Sequence, residues 1–249
     1  MQVTFPSHHR WQCTLTEDPT EHFSQRTAGK IRTALALLDR VGVSYVISPL
    51  TETFLDKFIP LYTEHIGSKA NALIHDVSEK TLGKKATSFP YYSLSLLEQG
   101  VFIGGTIFSL RPDRISFAYR AFNPSWSQAN LKITPAYIGE YALSEFANIH
   151  KLSIISHGKD RNPYGLNAAI GLATFKLSVG CRATVPKGCE IKSIDTDTLA
   201  TDALILSLPT DGETEINKAY LVTSRENEHK YLQVTKYPDL LQVEVLYRP

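Results

Sequence analysis

Three consecutive β-rich runs joined by very short turns constrain the fold of this chain more than any other feature. They span residues 91–97, 101–110 and 114–122, and only residues 98–100 and 111–113 separate them. Connections this short suit antiparallel hairpins, because parallel neighbours need a crossover of a dozen residues or more. The sequence therefore predicts an antiparallel meander in the middle of the chain.

Helical and strand-like patterns flank the meander on both sides. Thr51 or Thr53 can cap a helix that carries apolar residues on one face, and Thr134 with Pro135 marks the start of another. The remaining predicted elements are helices at 21–40 and 166–177, strands at 44–49, 153–157, 203–208, 219–223, 231–235 and 241–247, and a loop at 158–165. This order predicts a mixed α/β (α+β) fold, in which helices flank a mostly antiparallel central sheet.

Composition excludes several classes of protein. The 249 residues include 26 Lys+Arg and 25 Asp+Glu, and the formal net charge of +1 gives no general electrostatic basis for binding nucleic acid. Cys13, Cys181 and Cys189 form no C-x-x-C pair, which favours a reducing compartment. The N-terminus lacks a signal-like apolar run, and no stretch approaches the length of a membrane span. These patterns predict a soluble, cytoplasmic protein without a membrane span.

Several short motifs follow one another between residues 97 and 186. They are Gly104-Gly105 in an apolar strand, the run 119–124 (YRAFNP), the Thr134-Pro135 helix start, the run 156–160 (SHGKD), and the run 162–166 (NPYGL) leading to 171–180 (GLATFKLSVG). Together they resemble the FemAB-like branch of the GNAT acyltransferase superfamily. In that branch a strand ending in a Gly/Asp loop leads to a helix with a Phe-Lys pair and a terminal glycine. Motifs carry the resemblance over 97–186, and the order of elements alone carries it over 44–186.

The resemblance implies a GNAT-like domain at 44–190. An N-terminal extension with one helix then occupies 1–43, and a β-rich C-terminal extension occupies 191–249. Parts of that extension alternate between apolar and polar residues, which suits an extra sheet or an edge strand that pairs with another chain. The extension is therefore a candidate surface for an oligomer or a protein partner.

The resemblance also implies an N-acyltransferase that passes an acyl group directly from an activated donor to an amine. In the fold that it resembles, the donor lies between two splayed strands, here 116–122 and 153–157. The resemblance implies that the end of the first strand contributes backbone amides to the donor site. The start of the following helix and the aromatic residue of the Phe-Lys pair would also contact the donor. These residues are Tyr119, Arg120, Ala121, Phe122, Thr134 and Phe175. For Arg120, a buried salt bridge and a phosphate- or carboxylate-binding role are equally open.

One departure from the family pattern concerns the donor. GNAT acetyltransferases typically carry an Arg/Gln-x-x-Gly-x-Gly/Ala loop before the central helix, whereas residues 125–134 contain no glycine. Fem-type members share this absence, and several use aminoacyl-tRNA. The near-neutral charge and the presence of one GNAT-like unit favour acyl-CoA (acetyl-CoA or longer) as donor. The acceptor is then a small-molecule or peptide amine. The alternatives are a Fem-type transferase that uses aminoacyl-tRNA and a non-catalytic scaffold.

Four residues are candidates for the chemistry itself. The resemblance implies that Lys176 stabilises negative charge beside the donor carbonyl or phosphate; the alternative is a solvated lysine at a helix C-terminus. Asp160 would accept a proton from the amine or orient it, or else cap its own loop. His157 and Tyr164 are candidate acid, base or positioning groups, and either can instead be structural.

A metal site is not predicted. His8, His9 and Cys13 lie close together, but a structured zinc site needs four ligands and the sequence offers no matching second pair. Cys181 and Cys189 flank a Pro-Lys-Gly turn and are expected to have packing or turn roles.

Overall fold

The computed structural model describes residues 1–68, 73–84, 86–126, 131–210 and 212–248. The strands within these ranges are β1 (Gln2–Pro6), β2 (His8–Thr14), β3 (Val43–Pro49), β4 (Tyr91–Glu98), β5 (Val101–Leu110), β6 (Arg114–Phe122), β7 (Ile154–Arg161), β8 (Arg182–Thr184), β9 (Ile191–Asp195), β10 (Ala203–Leu206), β11 (Glu215–Ile216), β12 (Lys218–Thr223) and β13 (Gln242–Tyr247). The helices are α1 (Gln25–Leu35), α2 (Leu38–Val41), α3 (Glu52–Gly67), α4 (Val77–Thr81), α5 (Pro135–Ile149), α6 (Ile170–Ser178) and α7 (Glu228–Tyr231), with 3₁₀ turns at Thr196–Thr198 and Leu232–Lys236.

The chain divides into two compact units. Thr14–Ser156 form one, called the central unit below, and Met1–Cys13 with His157–Pro249 form the other, called the terminal unit. No helix in the described ranges is long and apolar enough to cross a lipid bilayer.

The central unit contains the predicted meander. β4, β5 and β6 pair antiparallel in sequence order, and β3 pairs antiparallel with the outer edge of β4. The start of β7, at residues 154–156, pairs parallel with residues 114–116 of β6. Helix α5 lies between β6 and β7 in the chain and supplies the crossover that a parallel pair requires. The prediction of a mixed, mostly antiparallel sheet is confirmed.

Two glycines allow the middle strands of this sheet to approach one another closely. A Cβ on Gly105 would lie 2.3 Å from the Leu94 carbonyl oxygen of β4. Gly104 has φ +145°, and a Cβ there would lie 2.6 Å from the Ala121 carbonyl oxygen of β6. Both clashes are with backbone, so a side chain at either position would force the strands apart.

Helices cover both faces of the central sheet. Phe54, Phe58 and Tyr62 of α3 pack in one cluster with Ala121 of β6, whereas Phe122 packs in another cluster with Ile138 of α5. Successive strand residues point to opposite faces, so the two clusters lie on opposite sides of the sheet. Thr51 caps α3 as predicted, because its side chain accepts a hydrogen bond from the amide of Phe54.

The terminal unit is built from several small ladders. β1 pairs antiparallel with β9, and β8 pairs antiparallel with both β2 and β11. β10 pairs antiparallel with β12, which pairs parallel with β13. The described tail is thus β-rich, as predicted, except that residues 231–235 belong to helical turns and not to a strand.

Three other predicted elements need correction. The predicted N-terminal extension at 1–43 contains one helix and no strand, whereas its first 14 residues form β1 and β2. The predicted helix at 21–40 is shorter and divides into α1 and α2. The predicted loop at 158–165 is wrong in its first half, because β7 continues to Arg161 and places Asp160 on a strand.

Candidate functional site

Lys176 is buried, which excludes the alternative of a solvated lysine. It lies in the last turn of α6, and its side chain is 5% exposed. Its Nζ donates to Oδ2 of Asp160 at 2.7 Å, and the side chain of Asp160 is 13% exposed. A buried ammonium needs such a carboxylate, because leaving it unpaired costs several kcal/mol. The two residues predicted to carry the chemistry therefore form one ion pair.

Tyr164 joins this pair through its hydroxyl group. Its Oη donates to Oδ2 of Asp160 at 2.5 Å, and the tyrosine is fully buried. The backbone of Tyr164 is held by reciprocal hydrogen bonds with Leu204 of β10, both at 3.0 Å. The next residue, Gly165, has φ +91°, and a Cβ there would lie 2.1 Å from the Asp202 carbonyl oxygen. Fixed backbone contacts thus set the position of the Tyr164 hydroxyl.

Two residues that sequence reasoning missed complete the cluster. Trp11 donates from Nε1 to Tyr164 Oη at 2.6 Å, and His9 Nε2 lies 2.9 Å from the same oxygen. A hydroxyl has one proton, which goes to Asp160, so it accepts from both His9 and Trp11. His9 therefore carries its proton on Nε2. We call His9, Trp11, Asp160, Tyr164 and Lys176 the buried network.

The charges in the buried network follow from its environment. Burial alone would raise the pKa of Asp160, but the Lys176 ammonium and the Tyr164 hydroxyl outweigh it, and the net pKa is lowered. Burial lowers the pKa of His9 to about 4, so its ring is neutral near neutral pH. Burial, with the neighbouring Asp160 charge, raises the pKa of the Tyr164 hydroxyl. The network thus holds one carboxylate, one ammonium, a neutral tyrosine hydroxyl that donates to the carboxylate, and the neutral rings of His9 and Trp11, which donate to that hydroxyl.

A sequence signal for the missed residues exists in β2. Trp11 and Cys13 alternate in the sequence with the polar Arg10, Gln12 and Thr14, and the structure buries His9, Trp11 and Cys13 while the residues between them are partly exposed. This alternation with period two is typical of a strand with one buried face.

The residues implied at the donor lie mostly on β6 in the central unit. Tyr119, Arg120, Ala121 and Phe122 pair with residues 104–107 of β5. On the other edge of β6, the ladder with β7 covers only residues 114–116 in the part of the chain that the structure describes. An antiparallel strand directs every second backbone amide away from its paired neighbour, which for β6 is β5.

The side chains of these β6 residues have structural partners. Arg120 forms an ion pair with Glu140 of α5 at 2.6 Å, and Glu140 is 1% exposed. Of the two roles open for Arg120, the structure thus shows the salt bridge. Ala121 and Phe122 are buried in the core, and Tyr119 packs edge-on against Tyr62, with burial raising its pKa to about 12. A donor role for Ala121 and Phe122 is thus restricted to their backbone.

The other implied donor residues and His157 lie elsewhere. Thr134 is the N-cap residue of α5, but its side chain makes no capping hydrogen bond, contrary to prediction. Part of the glycine-free segment, residues 127–130, lies outside the described residues. Phe175 is half-buried on α6, next to Lys176. His157 lies beside the sulfur atoms of Cys13 and Cys181.

The expectation of reduced cysteines is wrong for two of the three. Cys13 and Cys181 form a disulfide that closes a separation of 168 residues. The two residues meet because β2 and β8 pair, with Gln12 opposite Arg182. Cys189 is free and has the expected turn position, since its amide donates to the Pro186 carbonyl at 3.1 Å.

Solved structures resemble this chain in fold. FemX aligns with a TM-score of 0.55 at 13% identity, over 73% of this chain and 60% of FemX. The chain has a GNAT-like, FemAB-like fold. L-PGS from Bacillus licheniformis aligns with a TM-score of 0.42 at 13% identity, over 64% of this chain and 46% of L-PGS. A GCN5-related N-acetyltransferase from Anabaena variabilis aligns with a TM-score of 0.36 at 10% identity, over 65% of this chain and 35% of that protein.

The chain spans less than two thirds of the length of each of these three structures. No protein-family model matches the sequence, and no curated protein matches it. The similarity to these solved structures therefore shows the fold alone.

His9 makes the stability of the protein depend on pH. Its pKa is about 4 in the folded chain and 6.5 for an unperturbed histidine, so below pH 6.5 the unfolded chain binds a proton that the folded chain does not. Stability is therefore lost as the pH falls from 6.5 to 4, by about 3 kcal/mol from this residue. We expect His9→Gln to remove that part of the loss in urea unfolding at pH 7 and pH 4.

The matched control is His229→Gln, which alters an exposed histidine of the same unit. It should leave the difference in unfolding free energy between the two pH values unchanged. An unchanged difference in His9→Gln as well would contradict the buried neutral state of His9.

Proposed function

We propose that this protein is an acyltransferase that moves an acyl group from an activated donor directly to an amine. The observation that carries the proposal is the buried ion pair between Lys176 and Asp160. Lys176 lies in the last turn of α6, where the sequence resembles the Phe-Lys pair of the FemAB-like branch. Many lysines near a helix end are solvated, whereas this one is placed and charged inside the protein. Such a group is suited to stabilising negative charge that develops during a reaction.

Each network residue has a proposed role in acyl transfer. Attack by an amine on an acyl donor produces a tetrahedral oxyanion, and the Lys176 ammonium would favour that charge. Asp160 would hold Lys176 in its protonated state and in position. Its lowered pKa makes it a weak base, which favours orientation over proton abstraction among the roles predicted for Asp160.

The outer part of the network would act on Asp160 and not on the substrate. Tyr164 donates to the same Asp160 oxygen that accepts from Lys176, so it fixes the carboxylate plane. Trp11 and His9 in turn fix the Tyr164 hydroxyl. Supporting hydrogen bonds of this kind hold a catalytic group within the narrow range of geometry that reaction requires. We propose Tyr164 as a positioning residue.

We propose acyl-CoA, acetyl-CoA or longer, as the donor and a small-molecule or peptide amine as the acceptor. The balance of 26 basic and 25 acidic residues supports a small donor, since a tRNA is bound largely through many lysine and arginine contacts to phosphate. Aminoacyl-tRNA, which the FemAB-like resemblance of the sequence also allows, is the alternative donor.

Ligand-dependent stabilisation of the full chain tests the donor. A ligand at one hundred times its dissociation constant stabilises a folded protein by about 2.7 kcal/mol. We therefore expect acetyl-CoA or a longer acyl-CoA, at millimolar concentration, to raise the melting temperature by several degrees. Release of free CoA in the presence of a panel of primary amines should then identify the acceptor class.

The remaining outcomes distinguish the alternatives. A shift with aminoacyl-tRNA at 150 mM salt, and none with any acyl-CoA, would replace the proposed donor by the Fem-type one. No shift with either donor would overturn the transferase proposal and favour a scaffold. Free CoA serves as the control for binding without an acyl group.

A further inference from the structure

A second cluster of reactive side chains lies in the terminal unit outside the buried network. The Sγ atoms of Cys13 and Cys181 and a ring nitrogen of His157 all lie within 4.8 Å of one another. The three residues come from the end of β2, the first half of β7 and the residue before β8. The sequence contains no second pair of metal ligands at a suitable spacing from His8, His9 and Cys13. The fold nevertheless places such a pair beside Cys13, because His157 and Cys181 lie next to it although they are 144 and 168 residues away in the sequence.

The chemistry of the cluster matches one class of metal ion. Two thiolates and one imidazole are the ligands that zinc prefers, with Zn–S bonds of about 2.3 Å and Zn–N bonds of about 2.0 Å. Ligand atoms around a tetrahedral ion with these bond lengths lie roughly 3.5 Å apart. Once the sulfur–sulfur bond is broken, three ligand atoms within 4.8 Å of one another need only small movements to reach this arrangement.

The two cysteines and the histidine of the cluster differ in how deeply they are buried. Cys13 and Cys181 are 1% and 0% exposed, whereas His157 is half-buried. An ion would therefore be covered on its sulfur side. Three protein ligands leave a fourth position for water, as in zinc sites with Cys₂His ligation.

We propose that Cys13, Cys181 and His157 form a redox-gated zinc site, which is closed by the disulfide when the chain is oxidised. A dithiol reductant would donate two electrons and two protons to the disulfide, break the sulfur–sulfur bond and leave two thiols, while the reductant becomes a disulfide itself. Zn²⁺ then displaces the two thiol protons and binds both sulfur atoms and the imidazole. This proposal stands independently of acyl transfer.

The site also has a direct structural link to the buried network. The amide of Cys181 donates to the carbonyl oxygen of Lys176 at 3.0 Å, and Cys13 lies two residues after Trp11 on the same buried face of β2. A change between disulfide and metal thus acts at the end of α6 and at the end of β2. These are the two elements that present Lys176 and Trp11.

Zinc binding by the full chain tests the proposal with Zn²⁺ alone as the probe. The protein is reduced anaerobically, incubated with excess Zn²⁺, freed of unbound metal and assayed for zinc per chain. We expect one zinc per chain after reduction and none in the oxidised protein. Co²⁺ in place of Zn²⁺ should give thiolate-to-cobalt charge-transfer absorption in the reduced protein.

Variants identify the ligands. Cys189→Ser is the matched control, because it removes the free cysteine outside the cluster and should keep one zinc per chain. His157→Ala should weaken zinc binding at least tenfold, measured by competition with a chromophoric chelator, and Cys13→Ser should abolish it. If Cys13→Ser fails to fold, the oxidised wild-type protein provides the same comparison. Stoichiometric zinc absent from the reduced wild type, or affinity unchanged in His157→Ala, would overturn the proposal.

Discussion

Asp160→Ala is expected to lower the free energy of unfolding by about 3–5 kcal/mol, because it removes the carboxylate from a buried ammonium. The side chains of Lys176 and Asp160 are 5% and 13% exposed, so water screens the charge of Lys176 little once Asp160 is gone. Tyr164 also loses the acceptor of its hydroxyl proton. Urea unfolding at pH 7 measures the change through the midpoint and the slope.

A double-mutant cycle separates the charge from the loss of packing. Lys176→Met should also destabilise the protein, since it leaves the Asp160 carboxylate without its ammonium. The double variant Lys176→Met/Asp160→Leu should recover the part of the loss that comes from the unpaired charge, because apolar groups can replace a buried ion pair at little net cost; Tyr164 still lacks the acceptor of its hydroxyl proton. Its destabilisation should therefore be smaller than the sum of the two single changes by at least about 2 kcal/mol.

An exposed ion pair of the same unit provides the control. Lys218 and Glu244 lie 2.9 Å apart on β12 and β13, and their side chains are 43% and 50% exposed. Glu244→Ala should change the free energy of unfolding by less than about 1 kcal/mol. If Asp160→Ala costs no more than Glu244→Ala, the Lys176–Asp160 pair is effectively solvated and the buried network does not exist as described.

Local signals explain why the middle of the fold is predictable. Turns of no more than three residues, at 99–100 and 111–113, join the strands of the meander. The structure places β5 and β6 at the predicted bounds. Helices α3 and α5 begin at a threonine N-cap and at Thr134-Pro135, which are also local features. Hairpins and caps depend on residues near one another in sequence, so a sequence pattern can reveal them.

The parts of the fold that the sequence does not predict depend on contacts between segments that are distant in the chain. β1 pairs with β9 and β2 with β8, and most of the chain lies between these partners. His9 and Trp11 meet Tyr164 across more than 150 residues, and Cys13 meets Cys181 across 168. No spacing in the sequence reveals such pairs. Lys176, Asp160 and Tyr164 could be selected through the family resemblance, but their shared oxygen is visible only in the structure.

Lys176→Met is expected to lower the rate of acyl transfer by two to three orders of magnitude, with whichever donor the protein uses. Removal of a single group that stabilises an oxyanion costs roughly 10²–10³ in turnover. The effect should fall on kcat more than on KM, because the charge of Lys176 is needed most when the oxyanion forms. Lys176→Arg keeps the charge and should retain more activity than Lys176→Met.

The loss of rate must be separated from the loss of stability that the same substitution causes. Assays run well below the melting temperature of Lys176→Met, with the folded fraction checked by circular dichroism, exclude unfolding as the cause. Lys159→Met is the matched control, because Lys159 is exposed and lies beside Asp160 on β7. If folded Lys176→Met transfers acyl groups within threefold of Lys159→Met, then Lys176 serves the fold alone, and the oxyanion must be stabilised by other groups.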